Sequence, residues 1–332
     1  MAHHAWTMRL PLLAVIVSAT LSVSATAADA VGSTKVAHWK DDKACAFILM
    51  FDDSASTDVT NVVPELTKRG FTGTFYVNPG SGQWAAKRQA WEKDIPGAGF
   101  ELANHTFTHK GGKTVDEIAI EISKANEAIH AATPNLPWPR LVSYGQPGGI
   151  KKENWPATKE ELAALLVQNH LIDRPDFGGR GAIINLKTSA EMLAHADKAI
   201  ASHAMECIVF HGVGGDWIVT PLPMFIEVLD GLVARQDKLW LTGHIPAHQY
   251  ATERDAAKVT VGATTATTIK LTLACTADPQ FYDQPLTLLT AVPAGWTACT
   301  VDQGKHHGDA TVHDGVARYD ALPGSEIVLT KH

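Results

Sequence analysis

The chain has 332 residues, a formal net charge of −7, 45% hydrophobic residues and 19% charged residues, a composition typical of folded globular proteins. No cluster of Lys and Arg stands out, which argues against nucleic acids and anionic membranes as partners. The length is sufficient for two domains with a sizeable core.

The first thirty residues have the features of an export signal. Arg9 precedes the apolar run 10–17, and small residues follow as far as Ala30. We expect residues 1–30 to be a signal peptide, which makes the protein secreted or periplasmic, with a mature chain that begins near residues 28–31. An uncleaved membrane anchor is the alternative, but the apolar run is short for a membrane span.

Residues 41–250 alternate between strand-like and helix-like stretches. Strands are predicted at 45–51, 72–77, 141–144, 182–185, 207–211 and 239–242. Helices are predicted at 57–69, at 114–131, and after the capping-box pairs Thr158/Glu161 and Thr188/Glu191. This alternation predicts an α/β fold built on a parallel sheet or barrel. In such folds the chemistry gathers at the C-terminal ends of the strands.

The pattern changes after Tyr250 and becomes rich in Thr, Val and Leu, without a helical period. Short strands are predicted at 258–261, 268–274, 285–290, 297–301, 316–319 and 326–330. We therefore predict an α/β domain over residues 31–252 and a small all-β accessory module over residues 256–332.

Four cysteines fit the oxidising compartment that an export signal implies. Cys275 and Cys299 both fall in the all-β region, and we predict a disulfide between them. Cys45 and Cys207 lie on two predicted strands, where they either pair or pack as buried thiols.

Five polar residues stand at the ends of strands or close behind them. Asp52 and Asp53 end the first strand, His105 and His109 are four positions apart, and His211 ends a later strand. The spacing of His105 and His109 predicts that both lie on one face of a helical turn. One carboxylate and two imidazoles make a ligand set for a catalytic divalent metal such as Zn²⁺. The plainer alternatives are an exposed His pair and aspartates that cap a turn.

These residues resemble the motifs of the polysaccharide deacetylases with the NodB-homology domain, carbohydrate esterase family four. Phe51-Asp52-Asp53 matches the first motif, His105-Thr106-Phe107-Thr108-His109 the second, and Ile208-Val209-Phe210-His211 the last. The resemblance covers roughly residues 41–250. It implies an irregular parallel (β/α) barrel as the catalytic domain, followed here by the all-β module, and a bound Zn²⁺, with Co²⁺, Ni²⁺ or Mn²⁺ as alternatives.

The resemblance also implies roles for individual residues. The implied metal ligands are Asp53, His105 and His109. Asp52 would be the general base, His211 the acid that protonates the leaving group, and the backbone N–H of Tyr144 a donor to the oxyanion. Adjacent strand residues face opposite ways, so Asp52 and Asp53 can share a site only if the chain bends at the strand end.

Two motifs of the family match less well. The third, Arg-Pro-Pro-(Phe/Tyr)-Gly, is met here by Arg140-Leu141-Val142-Ser143-Tyr144-Gly145, with Leu141 at the Arg position. Arg140 and Arg180 are therefore both candidates for orienting the base. The fourth motif supplies an Asp that tunes the catalytic His, and Asp173 and Asp176 are its candidates. Solvated loop charges are the alternative for these residues.

Aromatic side chains are candidates for stacking on sugar rings. We predict substrate contacts for Trp217, six residues after His211, and also for Trp84 and Pro147. Trp91 and Trp138 are further candidates, although burial in the core is common for such large side chains.

The predicted function is removal of acetyl groups from an acetylated carbohydrate, with a polymer or oligomer of N-acetylglucosamine (chitin or peptidoglycan type) as the first choice. The alternatives are O-acetylated xylan, a small amide, and an inactive carbohydrate-binding protein. The all-β module would bind glycan, cover an edge of the catalytic domain or mediate assembly, and the sequence does not separate these roles.

Overall fold

A computed structural model describes residues 30–175, 179 and 181–332. The predicted signal peptide up to residue 29, Asp176 and Arg180 lie outside the described residues. Within the described part of the chain, no helix is both long enough and apolar enough to cross a membrane.

The helices and strands alternate through the first part of the chain, and strands alone follow. The helices are α1 Val63–Lys68, α2 Gly82–Ala86, α3 Ile95–Gly97, α4 Val115–Ala132, α5 Lys159–Gln168, α6 Ser189–Ser202, α7 Leu222–Val233 and α8 His244–Ala256. The strands are β1 Thr34–Val36, β2 Cys45–Asp52, β3 Thr74–Val77, β4 Glu101–Asn104, β5 Val142–Tyr144, β6 Leu171–Asp173, β7 Met205–Phe210, β8 Leu239–Leu241, β9 Ala257–Thr264, β10 Thr268–Cys275, β11 Leu286–Ala291, β12 Ala298–Gln303, β13 His306–His313, β14 Val316–Ala321 and β15 Glu326–Lys331. Short 3-10 or π-helical turns lie at Lys40–Asp42, Asp58–Val62, Ala90–Asp94 and Lys152–Asn154.

The first sheet is parallel throughout and forms a half-barrel with the strand order β6-β5-β4-β3-β2-β7, while β8 pairs with the start of β2. The predicted α/β class is confirmed. The strand predicted at 182–185 is wrong, because among the described residues this segment contributes one parallel bridge, from Ala182 to Val209. Strands β4 and β6 were not predicted.

Strand β2 runs through the middle of this sheet and is buried along its whole length. Phe47, Leu49 and Phe51 point to one face, where they pack in the cluster formed with the surrounding helices. Ile48 and Met50 point to the other face and join a second cluster. Burial on both faces explains why the sequence shows a continuous apolar run, since alternation is expected only where one face is wet.

The predicted helix starts are confirmed by their caps. Thr158 and Thr188 each accept a hydrogen bond from the backbone N–H three residues on, and Glu161 and Glu191 return bonds to the cap residues. These reciprocal bonds satisfy donors that a helix start otherwise leaves without partners. They place α5 and α6 where the sequence predicted helices.

The second sheet is antiparallel, with the order β1-β11-β14-β13-β12-β15-β10-β9. All six strands predicted in this region are present, and the all-β character of the region is confirmed. Strand β13 was not predicted, because its His, Gly and Asp residues are weak strand formers. The short β1 comes from the start of the described chain and pairs with β11.

The two sheets share one buried cluster. Helix α8 lies between them: Ala247 and Tyr250 pack with Ile48 and Met50 of the parallel sheet and with residues of the antiparallel sheet. The Tyr250 hydroxyl donates to the carbonyl of Ala37 at 3.0 Å. Helix α8 ends at Ala256 and β9 begins at the next residue, so the chain passes between the two sheets without a separate linker.

No disulfide joins the four cysteines, all of which are among the described residues, so the predicted Cys275–Cys299 bridge is wrong. Strand β15 lies between β10 and β12, which carry these residues. Two strand spacings amount to about 9–10 Å, too far for a disulfide. Cys45 and Cys207 are not bridged either, because Cys207 pairs with Ile48 in register and the two thiols pack in different clusters.

Candidate metal centre and active site

The candidate residues gather at the C-terminal edge of the parallel sheet. In register, Asp52 pairs with Tyr76, Val77 with Asn104, and Tyr144 with Asp173. The loops that follow these strands therefore open on one side of the molecule. A cleft of about 760 Å³ lies there, lined by residues that include Asp52, Asp53, His105, His109, Arg174, His211 and Trp217.

The chain bends sharply where β2 ends. Asp53 has φ +76° and Ser54 has φ +54°, both in the left-handed region that Asp tolerates better than most residues. The backbone N–H of Asp53 donates to the carbonyl of Tyr76 at 3.1 Å. This bend is the one the sequence required, because it brings the adjacent carboxylates of Asp52 and Asp53 into one cleft.

Asp53, His105 and His109 converge on one point. The Oδ1 atom of Asp53 lies 3.2 Å from Nε2 of His109 and 3.5 Å from Nε2 of His105. One candidate ligand atom from each residue lies within 4.8 Å of the other two. Residues 105–114 form a loop rather than the predicted helical turn. The two rings meet because Thr106 and His109 both have φ +63°.

The donor set fits a divalent metal. Oδ1 of Asp53 is buried without a hydrogen-bond partner among the described residues. A carboxylate oxygen and two imidazole nitrogens are ligands that Zn²⁺ prefers, and three protein ligands leave a position open for substrate. Burial opposes the ionisation of Asp53, but His105 and His109 outweigh it and hold the pKa of that carboxyl well below its usual value.

His105 is oriented by the strand next to its own. Its Nδ1 lies 2.7 Å from the carbonyl oxygen of Gly145. A carbonyl can only accept, so Nδ1 carries the proton and Nε2 keeps its lone pair toward Asp53. Asn78 holds the loop from below, as its amide donates to the carbonyls of His105 and Thr106. His105 is thus prepared as a ligand before any metal binds.

Asp52 is held by a residue that the sequence analysis did not select. Arg174 donates from Nη1 to Oδ1 at 2.8 Å and from Nη2 to Oδ2 at 2.9 Å. Asp52 is 4% exposed. Burial opposes its ionisation, but Arg174 and then His105 and His211 outweigh this, so the pKa of Asp52 lies below its usual value. The carboxylate is therefore ionised and fixed in orientation.

Arg140, the predicted orienting residue, does not reach the cleft. It precedes β5 at the opposite end of the sheet and donates to Thr133 Oγ1 at 2.9 Å and to the carbonyl of Leu141. Arg180, the other candidate, lies outside the described residues. A signal for Arg174 existed in the sequence. Arg174-Pro175-Asp176-Phe177-Gly178 fits the third motif of the family, with Asp176 at the second Pro.

This realignment also moves the predicted oxyanion donor. Tyr144 is fully buried in β5 and does not line the cleft, so the structure does not support it in that role. Its carbonyl accepts from the backbone N–H of Arg174 at 2.7 Å, which helps to place the arginine. The aromatic position of the motif becomes Phe177, which lies outside the described residues.

His211 follows β7 and faces Asp53 from the side opposite His109. Its Nε2 lies 3.9 Å from Oδ2 of Asp53, and its Nδ1 is buried without a hydrogen-bond partner in the described part of the chain. Asp173 lines the same cleft but makes no ion pair with His211 among the described residues, and Asp176 lies outside them. The tuning of His211 by either aspartate stays a prediction.

Of the residues predicted to contact substrate, Trp217 alone is placed for it. Trp217 is 61% exposed and lines the cleft. Trp84 is buried and stacks on Trp91, with ring centroids 5.8 Å apart, so both belong to the core. Pro147 is buried and does not line the cleft. Trp138 is 64% exposed and also lies outside the cleft, against the ring of His130.

Comparison with known proteins agrees with the resemblance seen in the sequence. Residues 40–163 match the family model for polysaccharide deacetylase. This segment holds Asp52, Asp53, His105 and His109, while Arg174 and His211 lie beyond it.

Three solved structures illustrate the similarity of the fold. A family 4 carbohydrate esterase from Streptomyces lividans, in complex with acetate, is 20% identical over 61% of this chain and 94% of that one, with a TM-score of 0.43. A peptidoglycan deacetylase from Bacillus subtilis is 15% identical over 62% and 90%, also with a TM-score of 0.43. A CE4 family pseudoenzyme from Bacillus anthracis is 19% identical over 60% and 63%, again with a TM-score of 0.43. The match thus spans less than two thirds of the length of the last protein.

Proposed function

We propose that this chain, which through residues 40–163 belongs to the polysaccharide deacetylase family, is a metal-dependent hydrolase that removes acetyl groups from a carbohydrate. An N-acetylglucosamine polymer or oligomer, of the chitin or peptidoglycan type, is the proposed substrate. One observation carries the proposal: the set Asp53, His105 and His109 shares a cleft with a clamped carboxylate, Asp52, and with a second imidazole, His211.

The ligand set defines what the metal would contribute. Oδ1 of Asp53 and the Nε2 atoms of His105 and His109 would hold it. When bound, Zn²⁺ supplies Lewis-acid polarisation of an acetyl carbonyl. The Asp53 carboxylate raises the pKa of His109 above its usual value. His109 must therefore give up a proton before it can serve as a ligand, and metal binding weakens as the pH falls.

Asp52 and His211 divide the proton transfers. The ionised carboxylate of Asp52 accepts a proton from the attacking water, while Arg174 prevents it from turning away. Nε2 of His211 donates a proton to the leaving nitrogen as the C–N bond breaks, and acetate and a free amine result. An acid is needed because an unprotonated amine leaves poorly. Asp53 separates the two groups, so each faces a different side of the reacting carbonyl.

The cleft suits a sugar substrate. Trp217 presents an exposed ring at its rim, where it can stack on the apolar face of a pyranose. Ile183, Ile184 and Val209 provide apolar lining nearby. An O-acetylated xylan would meet the same reacting groups, and the assay below separates the two substrates.

Acetate release from the purified chain tests the proposal. Chitooligosaccharide and acetylated xylan are offered side by side, before and after treatment with a chelator and again after addition of Zn²⁺. We expect release that the chelator abolishes and Zn²⁺ restores, with the faster substrate identifying the sugar. Bound metal without release from either substrate would favour a small-amide substrate or a binding role. Failure to bind metal would overturn the proposal.

Two matched variants assign the roles of the adjacent aspartates. Asp52→Asn should abolish turnover and leave the metal content unchanged, because Asp52 is not in the ligand set. Asp53→Asn should lose both metal and turnover. If Asp52→Asn kept near-parental activity, Asp52 would not be the base.

We also propose export of the protein, on the strength of the signal-like sequence of residues 1–30. Expression of the full chain, followed by mass measurement of the exported product, should find a new N-terminus near residues 28–31. Full-length protein retained with the cells would contradict this.

A further inference from the structure

A buried aromatic ring lies beneath the arginine that clamps the base. The guanidinium carbon of Arg174 stands 4.5 Å from the centre of the Tyr76 ring, which is fully buried. We propose that Tyr76 is a positioning residue for Asp52, acting through Arg174. The proposal rests on the function proposed above, in which Asp52 is the base. A cation held over an aromatic face is attracted by the ring quadrupole, most strongly when both are shielded from water.

The sheet fixes Tyr76 relative to Asp52. The two residues are paired in register on the neighbouring parallel strands β3 and β2. The carbonyl of Tyr76 also accepts from the backbone N–H of Asp53. The ring therefore forms a platform that cannot shift independently of the carboxylate. Arg174, which arrives from the end of β6, is held between its bonds to Asp52 and this platform.

A chain of buried hydrogen bonds runs from the far side of the ring. The Tyr76 hydroxyl lies 2.9 Å from Oγ of Ser143, and this oxygen lies 2.7 Å from Nδ1 of His244. Burial lowers the pKa of His244 to about 3, so its ring is neutral and can accept. When Nδ1 accepts, Ser143 donates to His244 and Tyr76 donates to Ser143. Donation by the phenol increases the electron density of its ring, which strengthens the attraction for the guanidinium.

Gly145 provides the space for this arrangement. A Cβ atom at this position would lie 2.9 Å from Nε of Arg174 and 2.9 Å from Cδ1 of Tyr76, closer than real contacts allow. The carbonyl of Gly145 meanwhile accepts from Nδ1 of His105. The same residue thus lets the arginine settle on the ring and orients a metal ligand. The base clamp and the metal centre are built against one short segment of backbone.

The test compares truncations on the two faces of β3. Tyr76→Leu removes the platform, and Tyr76→Phe keeps the ring but removes the hydroxyl. Phe75→Leu is the matched control, because Phe75 is equally buried in the same strand but points to the helix side, where it stacks on Phe51 at 4.9 Å. For each variant, kcat, KM, zinc content and Tm are measured on the zinc-loaded protein.

We expect Tyr76→Leu to lower kcat by about 30-fold, the worth of a desolvated cation–π contact expressed at the base. KM and zinc content should be unchanged. Tyr76→Phe should recover most of the kcat, and Phe75→Leu should lower Tm without lowering kcat. A Tyr76→Leu enzyme with parental kcat, or a kcat loss in Phe75→Leu as large as in Tyr76→Leu, would overturn the proposal.

One measurement does not depend on turnover. The Nε–H of Arg174 should give a slowly exchanging NMR signal in the parent and in Tyr76→Phe, and a rapidly exchanging one in Tyr76→Leu. If the parent released no acetate but showed this difference, the proposed function would fail while the platform stood. If the signal exchanged equally fast in all three proteins, the platform itself would be wrong.

Discussion

Replacing Arg174 by lysine keeps a positive charge near Asp52 but removes the planar pair of donors that holds the carboxylate. Both bonds are short, at 2.8 and 2.9 Å, and the side chains of Arg174 and Asp52 are only 19% and 5% exposed. A lysine ammonium can meet one of the two oxygens at most with good geometry. Arg174→Lys therefore tests whether the orientation of the base matters, separately from its charge.

The structure allows the size of the effect to be worked out. Loss of one hydrogen bond to a charged group costs about 1.5–3 kcal/mol. If that loss is felt in the transition state, kcat falls by about 10- to 100-fold. The same loss in the folded state should lower Tm by about 5 °C in a protein of this size. KM and zinc content should not change, because Arg174 contacts none of the three metal ligands through a hydrogen bond among the described residues.

Arg140→Lys is the control for this experiment. Arg140 was the candidate favoured by its position near Tyr144 in the sequence, but it donates to Thr133 and Leu141 at the far end of the sheet. It should therefore leave kcat at the parental value in the same acetate-release assay. Parental turnover in Arg174→Lys, or an equal loss in Arg140→Lys, would refute the reasoning.

Other predictions concern stability, substrate binding and redox state. Burial raises the pKa of Glu101 from 4.5 to about 7, so the folded state binds this proton more tightly and loses about 3 kcal/mol as the pH rises through that interval. In urea unfolding, Glu101→Gln should lessen the decline between about pH 5 and about pH 8, and a pH-independent difference would contradict this. Trp217→Ala should raise KM for chitooligosaccharide several-fold, whereas Trp138→Ala, equally exposed but outside the cleft, should not. Dithiothreitol should leave Tm unchanged, and a decrease would indicate a bridge between Cys275 and Cys299.

The cysteines and tryptophans show where reasoning from sequence reached its limit. Cys275 and Cys299 belong to the same module, but whether they meet depends on β15 lying between their strands. Trp84 and Trp217 both stand in chain segments near motif residues. One stacks on Trp91 in the core and the other faces the cleft, and only the packing of the surrounding elements distinguishes them.

The sequence by itself determined the elements and most of the reacting groups of this protein. The apolar run that ends in Asp52 and Asp53 predicts a doubly buried strand, and the capping pairs predict helix starts, because both signals depend on neighbours in the chain. The tertiary structure alone decided that Arg174 clamps Asp52, since the two residues are 122 positions apart. Their meeting depends on the order of four intervening strands and on the bend at Asp53, neither of which any local pattern encodes.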